Sequence, residues 1–405
     1  MLDFLNTWLY GLLDLPWWGY VVWALVWLHV TMITITLFFH REQAHRSIDL
    51  HPALRHFFRF WVWINTGAPT KQWVAVHRKH HALCEREGDP HSPVVFGLRR
   101  VVLQGAELYI DEARKVETQD KYGKGTPDDW LERNIYTPHD YTGIALLVIF
   151  DVLMFGALGL VMVAFQLASM PFLAAGIING VGHARGYRNF ETNDASTNLW
   201  PIAVLIGGEE LHNNHHAFPT SARFSMRPGE IDIGWLHLKL FAALGLAKIR
   251  RVASEPALAV ERAAEKSAAP DLEALRSVLI HRMHVLRAYM NHVTLPVLRR
   301  ECEALGNNAR ALLPHARRWL TWQPQQLDES DRRKLRELRE QLPAFELVLE
   351  FRSELKKLWE GAHTSNERLL EDFRQWCRRA EDSGNQYLQE FVSYLRSFQP
   401  SPQAI

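Results

Sequence analysis

The stretch GGEELHNNHHAFP, Gly207 to Pro219, places three histidines within five positions and sets two asparagines between them. The chain holds 20 histidines, and more than half of them precede Pro219. An α-helix turns by about 100° per residue. In an H-x-x-H-H run the first and last rings therefore sit about 40° apart, and the middle ring lies about 60° to the other side. HNNHH presents His212 and His216 as a pair and His215 as a single. HRKHH repeats the pattern with His77, His80 and His81. HREQAHR carries His40 and His45, which an α-helix would splay by about 140°. NGVGH sets Asn179 and His183 on one helix face.

Two facing H-x-x-H-H runs supply two pairs and two singles, the donor set of a two-metal site. The angles assign His40, His77, His81 and His215 to one ion. They assign His45, His80, His183, His212 and His216 to the other. Nine neutral imidazoles suit iron, zinc or copper rather than magnesium or calcium. Asp89, Glu209 and Glu210 are candidates for orienting the rings through their second nitrogens. His29, His51, His56 and His91 read as packed or interfacial residues.

Outside the boxes the chain divides by composition. Its 46 basic and 45 acidic residues leave a net charge of +1, which gives no global case for a nucleic-acid or acidic partner. Cys84, Cys302 and Cys377 are scattered without a C-x-x-C, so neither a disulfide framework nor a thiolate metal site is expected. The start, MLDFLNTW, has no basic n-region and does not read as a secretory signal. Trp17 to Phe39 is uncharged and long enough to cross a bilayer, which takes about 20 apolar residues. Phe4 to Leu15 reads as interfacial or re-entrant. Arg41, Arg46, Arg55 and Arg59 follow the span and place its end on the cytoplasmic side.

Arg55 to Thr70 reads as an interfacial helix, and Gln72 to Thr142 as a polar cytosolic segment. Gly143 to Gly182 carries one charge, Asp151, and has room for two crossings with a turn at Gly156 or Gly159. Asp151 reads as a helix-contact or membrane-face residue before an intramembrane functional acid. Gly234 to Arg251 suits a membrane-surface helix. The expected architecture is all-α: a stem of three to four spans under a cytosolic helical cap, then a soluble helical domain. The expected boundaries are 1–252 for the membrane domain, 253–271 for a linker rich in alanine and charge, and 272–405 for the helical domain. Acids and bases in that last domain are interleaved, which argues against a nucleic-acid face.

HREQAHRS, QWVAVHRKHH with DPHSP, NGVGHARGYR and GGEELHNNHHAFP, in that order, resemble the membrane-bound fatty acid desaturases. The likeness runs from about His29 to Val252 and is strongest to the bacterial acyl-CoA Δ9-desaturase type. It implies a dinuclear iron centre on the nine histidines, divided as the helix angles divide them, with Asn179 holding a metal-bound water. It implies Trp73 as a lining residue of the acyl tunnel. It also implies insertion of a double bond with dioxygen and two electrons, in a bacterial inner membrane with the site facing the cytoplasm. Ala75 and Val76 stand where animal relatives carry an Arg–Asp pair that contacts coenzyme A, so an acyl-lipid substrate is the alternative to acyl-CoA. HPALRH, His51 to His56, lacks the surroundings of a cytochrome domain, so a separate reductase or iron–sulfur protein is the implied electron donor. A membrane hydroxylase or ketolase would use the same centre. Lys356 to Ser397 resembles the helical C-terminal region of one family of insertion-sequence transposases. There Trp359 and Trp376 are expected as core residues of a bundle for self-association or docking.

Overall fold

A computed structural model describes residues 8–254, 257–258, 271–306, 312–322, 326–360 and 365–399. The chain forms two compact units. The first runs to Tyr187 and resumes over Asp194–Ala253. The second comprises Arg188–Asn193 and the described residues from Ser254 onward. Most of the expected linker 253–271 lies outside the described residues.

Helices dominate both units. In the first, α1 (Trp17–Thr34) continues without a break into a π-helical segment, Ile35–Ala44. Then come α2 (Pro52–Thr66), α3 (Thr70–Leu83), α4 (Pro93–Phe96), α5 (Leu98–Ala113) and α6 (Val116–Tyr122). α7 (Asp140–Phe155) and α8 (Ala157–Met170) follow, and α8 runs on through a second π-helical segment, Pro171–Gly180, to a single 3-10 turn, Val181–His183. α9 (His212–Ala217) and α10 (Ile233–Ala243) complete the unit. Strands are restricted to short pairs. β1 (Ile48–Leu50) runs antiparallel to β4 (Ala247–Ile249), and β2 (Ile202–Ala203) parallel to β3 (Ile231–Asp232).

Among the described residues two helices are long and apolar enough to cross a membrane, Trp17–Ala44 and Ala157–His183, rather than the three to four expected. The missing crossing is α7. Its 16 residues reach about 24 Å at 1.5 Å per residue, short of a hydrocarbon core of about 30 Å. Both long helices leave apolar side chains exposed, among them Trp18, Val22, Leu25, Leu160 and Phe165, a surface suited to lipid.

The turn between α7 and α8 falls at Gly156, as its sequence suggested. Its φ of +60° favours glycine, and a Cβ there would sit 2.4 Å from the Trp8 carbonyl oxygen. Gly159 lets the two helices approach: a Cβ would meet the Asp151 carbonyl oxygen at 2.1 Å. Asp151 is buried in this helix contact.

The surface helix expected over Gly234–Arg251 stops at Ala243. Gly245, with φ +72°, ends it, and the remaining residues pair as β4 instead.

The core beside the site is built by Ile33, Leu37, Phe38 and Phe39 at the α1/π-helix junction. These pack on Ile48, Leu50, Phe58 and Val62. Arg41 is fully buried there. Its guanidinium donates to both carboxylate oxygens of Asp232 at 3.0 Å and lies 4.0 Å over the Phe224 ring. The pair pins the first histidine segment to the chain that follows the last histidine box.

The second unit is a helical bundle from Leu272–Ile280 to Gln386–Arg396, with β5 (Ala257–Leu258) antiparallel to β6 (Phe398–Gln399). Tyr289, Phe345, Phe373, Trp376 and Phe391 fill its core. Trp376 donates from Nε1 to the Phe351 carbonyl at 2.9 Å, and Trp359 packs partly buried against the cluster. Glu191, from the Arg188–Asn193 segment, pairs with Arg352 and with Lys356.

Candidate metal centre

All nine histidines singled out in the sequence converge in the first unit. His77, His80 and His81 project from α3, and His212, His215 and His216 from α9. His40 lies on the π-helical segment, His45 caps it, and His183 ends the 3-10 turn.

The ring nitrogens form two groups. In the first, His40, His45, His77, His81 and His215 each bring one nitrogen to within 4.8 Å of all the others. Close pairs of Nε2 atoms knit it: His40 to His215 at 3.0 Å, His215 to His81 at 3.0 Å, and His45 to His77 at 2.8 Å. In the second, donor atoms of His80, His183 and His216 cluster within the same limit, together with Cys84. His212 Nε2 touches His183 Nε2 at 2.9 Å and His216 Nε2 at 3.1 Å.

The helix arithmetic sorted the H-x-x-H-H runs as they are found. It misplaced His45, which joins His40 rather than the second group. The α-helical angle does not apply between them, because the segment is π-helical. The His45 backbone N–H donates to the His40 carbonyl, five residues back, at 3.0 Å. That wider turn stacks residues five apart on one face, and the two rings lie 4.9 Å apart.

Four carboxylates hold ring nitrogens from behind. His40 Nδ1 lies 2.6 Å from Glu209, His80 Nδ1 3.0 Å from Asp89, His183 Nδ1 2.8 Å from Glu85, and His216 Nδ1 3.0 Å from Asp194. A carboxylate accepts, so each Nδ1 carries the proton and each Nε2 a lone pair. Glu85 and Asp194 had no signal at the sequence level, since their value lies in distant pairing. Glu210 does not join them. It accepts from the backbone N–H groups of Leu205, Ile206 and Gly208 and closes its own loop. Asn214 likewise fixes the loop, donating to the Phe224 carbonyl and to Glu230.

This proton count tests whether the site fits a cation. His183 and His216 both turn lone pairs toward His212 Nε2. His212 can donate its single Nε2 proton to only one of them, which leaves the other lone pair without a donor. A positive ion between the rings satisfies all three lone pairs at once. Burial pushes His45, His77, His81, His212 and His215 well below the ordinary histidine range, and His216 to about 4, so these six donors are neutral; burial acts the same way on His80, but Asp89 beside it raises that ring above the ordinary value. Burial opposes the charge on Asp89, yet His80 beside it holds the carboxyl below its usual range. The donor set therefore fits two transition-metal ions of imidazole preference.

An apolar cavity opens beside the groups, lined by Trp73, His77, His91, Tyr109, Asn179 and His212 among others. Trp73 stacks on His77 with ring centroids 5.0 Å apart. Ala75 and Val76 are buried.

His91 is packed, as its sequence suggested, and it packs beside the site. It is 4% exposed, its ring lies 4.5 Å from that of His80, and its Nε2 is buried without a hydrogen-bond partner among the described residues. The only available hint was its place in DPHSP, two residues after the carboxylate that holds His80. His29 instead faces His237, at 3.4 Å between Nε2 atoms, and His51 caps α2.

Residues 15–228, more than half of the chain, match the family model described as "Fatty acid desaturase". An acyl-CoA 5-desaturase of Anemone leveillei is 34% identical over 242 residues, covering 58% of this chain and 74% of that protein. Delta-9 acyl-lipid desaturase 1 of Arabidopsis thaliana is 31% identical over 246 residues, 57% of this chain and 75% of that protein. Residues 263–401 match a model described as "Transposase".

Proposed function

The chain belongs to the fatty acid desaturase family, and we propose that it inserts a cis double bond at Δ9 of a saturated acyl chain carried on coenzyme A. One dioxygen and two electrons, with two protons, take up the two hydrogens removed and leave as two waters. The observation that carries this reading is the pair of imidazole groups, backed by four carboxylates and opening on an apolar cavity. Two iron ions would be held by His40, His45, His77, His81 and His215 on one side and by His80, His183, His212 and His216 on the other. When bound they supply the activation of dioxygen.

The protein's own residues do the positioning. Trp73 offers a flat apolar wall along which the chain lies beside His77. Asn179 lines the cavity with His212, where its amide would orient a metal-bound water. The dry surroundings exclude solvent from the methylene carbons. Electrons come from a separate reductase or iron–sulfur protein. The enzyme acts in a bacterial inner membrane, with its site facing the cytoplasm. The second unit serves as a helical docking or self-association module.

One observation favours a second reading of the carrier. Ala75 and Val76 are apolar and buried, so they offer no charged handle to coenzyme A. An acyl-lipid carrier needs none. Expression in a host unable to desaturate aerobically, with mass spectrometry of separated acyl-CoA and phospholipid pools, distinguishes the two. A product two hydrogens lighter supports desaturation, and one an oxygen heavier would show hydroxylation. His80→Ala or His215→Ala should abolish the product, and retained full activity would refute the assignment.

A further inference from the structure

Cys84 lies four residues, about one helical turn, after His80 and immediately beyond α3. Its Sγ is 3.8 Å from His80 Nε2, and it clusters with donor atoms of His80, His183 and His216. The chain direction that aims it is fixed locally. Glu85 adopts φ +62°, in the left-handed region that non-glycine residues seldom occupy. Its N–H donates to Asp89 at 2.7 Å, and its carboxylate accepts from His183 Nδ1 and from the Ala195 N–H. The same two carboxylates that orient His80 and His183 thus anchor the backbone beside the thiol.

We propose that Cys84 is a sulfur ligand of the metal ion at the second histidine group. This rests on the reading that the two groups hold metal. Bond lengths of about 2.3 Å to sulfur and about 2.0–2.1 Å to nitrogen separate the two donors on one ion by about 3.5 Å at a tetrahedral angle. At 120° they separate by about 3.8 Å, the spacing found between Cys84 and His80. Coordination releases the thiol proton to solvent and forms one metal–sulfur bond, with no change of oxidation state.

The two metal positions then differ in kind. The first is bound by imidazoles alone, and the second by imidazoles and one soft, electron-releasing thiolate. The sulfur stabilises the higher oxidation state of its own ion, so the second position holds the lower reduction potential.

X-ray absorption at the iron edge of the purified, iron-loaded full chain tests this. The expected spectrum contains a sulfur shell at about 2.3 Å at roughly half a sulfur per iron. That shell should vanish in Cys84→Ser and in Cys84→Ala, which keep their histidine ligands. A wild-type spectrum with only nitrogen and oxygen neighbours overturns the proposal and leaves the dimetal reading intact. A sulfur shell that persists in both variants overturns it equally. A folded chain that takes up no iron refutes the dimetal reading itself, and the sulfur ligand with it.

Discussion

Replacing Asp89 by asparagine isolates what the carboxylates behind the rings contribute. Asp89 is 1% exposed. One oxygen accepts from His80 Nδ1 at 3.0 Å and the His91 N–H at 3.1 Å. The other accepts from His80 Nδ1 at 3.1 Å and the Glu85 N–H at 2.7 Å. Asparagine keeps one acceptor and puts an NH2 in place of the other. Whichever way the amide turns, one backbone N–H faces a donor, which costs about 1–3 kcal/mol of stability. His80 also loses the negative charge that raises its basicity. Loss of such a partner lowers metal affinity about 10–100-fold, or about 1.4–2.7 kcal/mol. Iron affinity is read by competition with a chelator, and stability by tryptophan fluorescence during thermal unfolding. Asp89→Asn should weaken both. A dissociation constant within about twofold of wild type, with an unchanged midpoint, would refute the claim that this carboxylate sets the His80 tautomer and the local loop.

Three further outcomes follow from the same structure. Asp232→Ala leaves the buried Arg41 guanidinium without its carboxylate, so unfolding stability should fall by about 3–5 kcal/mol; denaturant titration showing less than about 1 kcal/mol would sink the argument. Gly156→Ala forces a Cβ into a backbone carbonyl at positive φ, so the midpoint of thermal unfolding should drop, with a cost above about 1 kcal/mol. Metal-free protein should lose stability as the pH falls below about 6.5, the ordinary histidine value. The unfolded chain takes up protons that the buried rings, His216 down to about 4, refuse. Each such ring contributes a slope of about 1.4 kcal/mol per pH unit, and a stability flat from pH 7 to pH 5 by circular dichroism would contradict it.

The histidine boxes were legible because H-x-x-H-H on an α-helix leaves little geometric freedom. His77, His80 and His81 on α3, and the three histidines of α9, are sorted as their spacing requires. His45 was not, because five-residue spacing has one meaning on an α-helix and another on a π-helix, and composition does not tell the two apart. Glu85 and Asp194 could not be seen because each acts on a ring far away along the chain. The crossing count failed for a related reason. Apolar length from Gly143 to Gly182 was correct, but the break at Gly156 leaves the first piece only 16 residues. The second unit's amphipathic pattern reported its core, with Trp376 inside it, and carried no information about a ligand.

Both long apolar helices widen where they approach the histidine groups, over Ile35–Ala44 and over Pro171–Gly180. Such a segment is equivalent to an α-helix that has absorbed one surplus residue without shifting the turns on either side. Removing one residue between His40 and His45 would let the helix take the narrower, commoner form. The two histidines would then stand four apart and would still share one face of the α-helix. At five-residue spacing it is the wider turn that brings the rings together, so spacing and helix type here can change only as a pair.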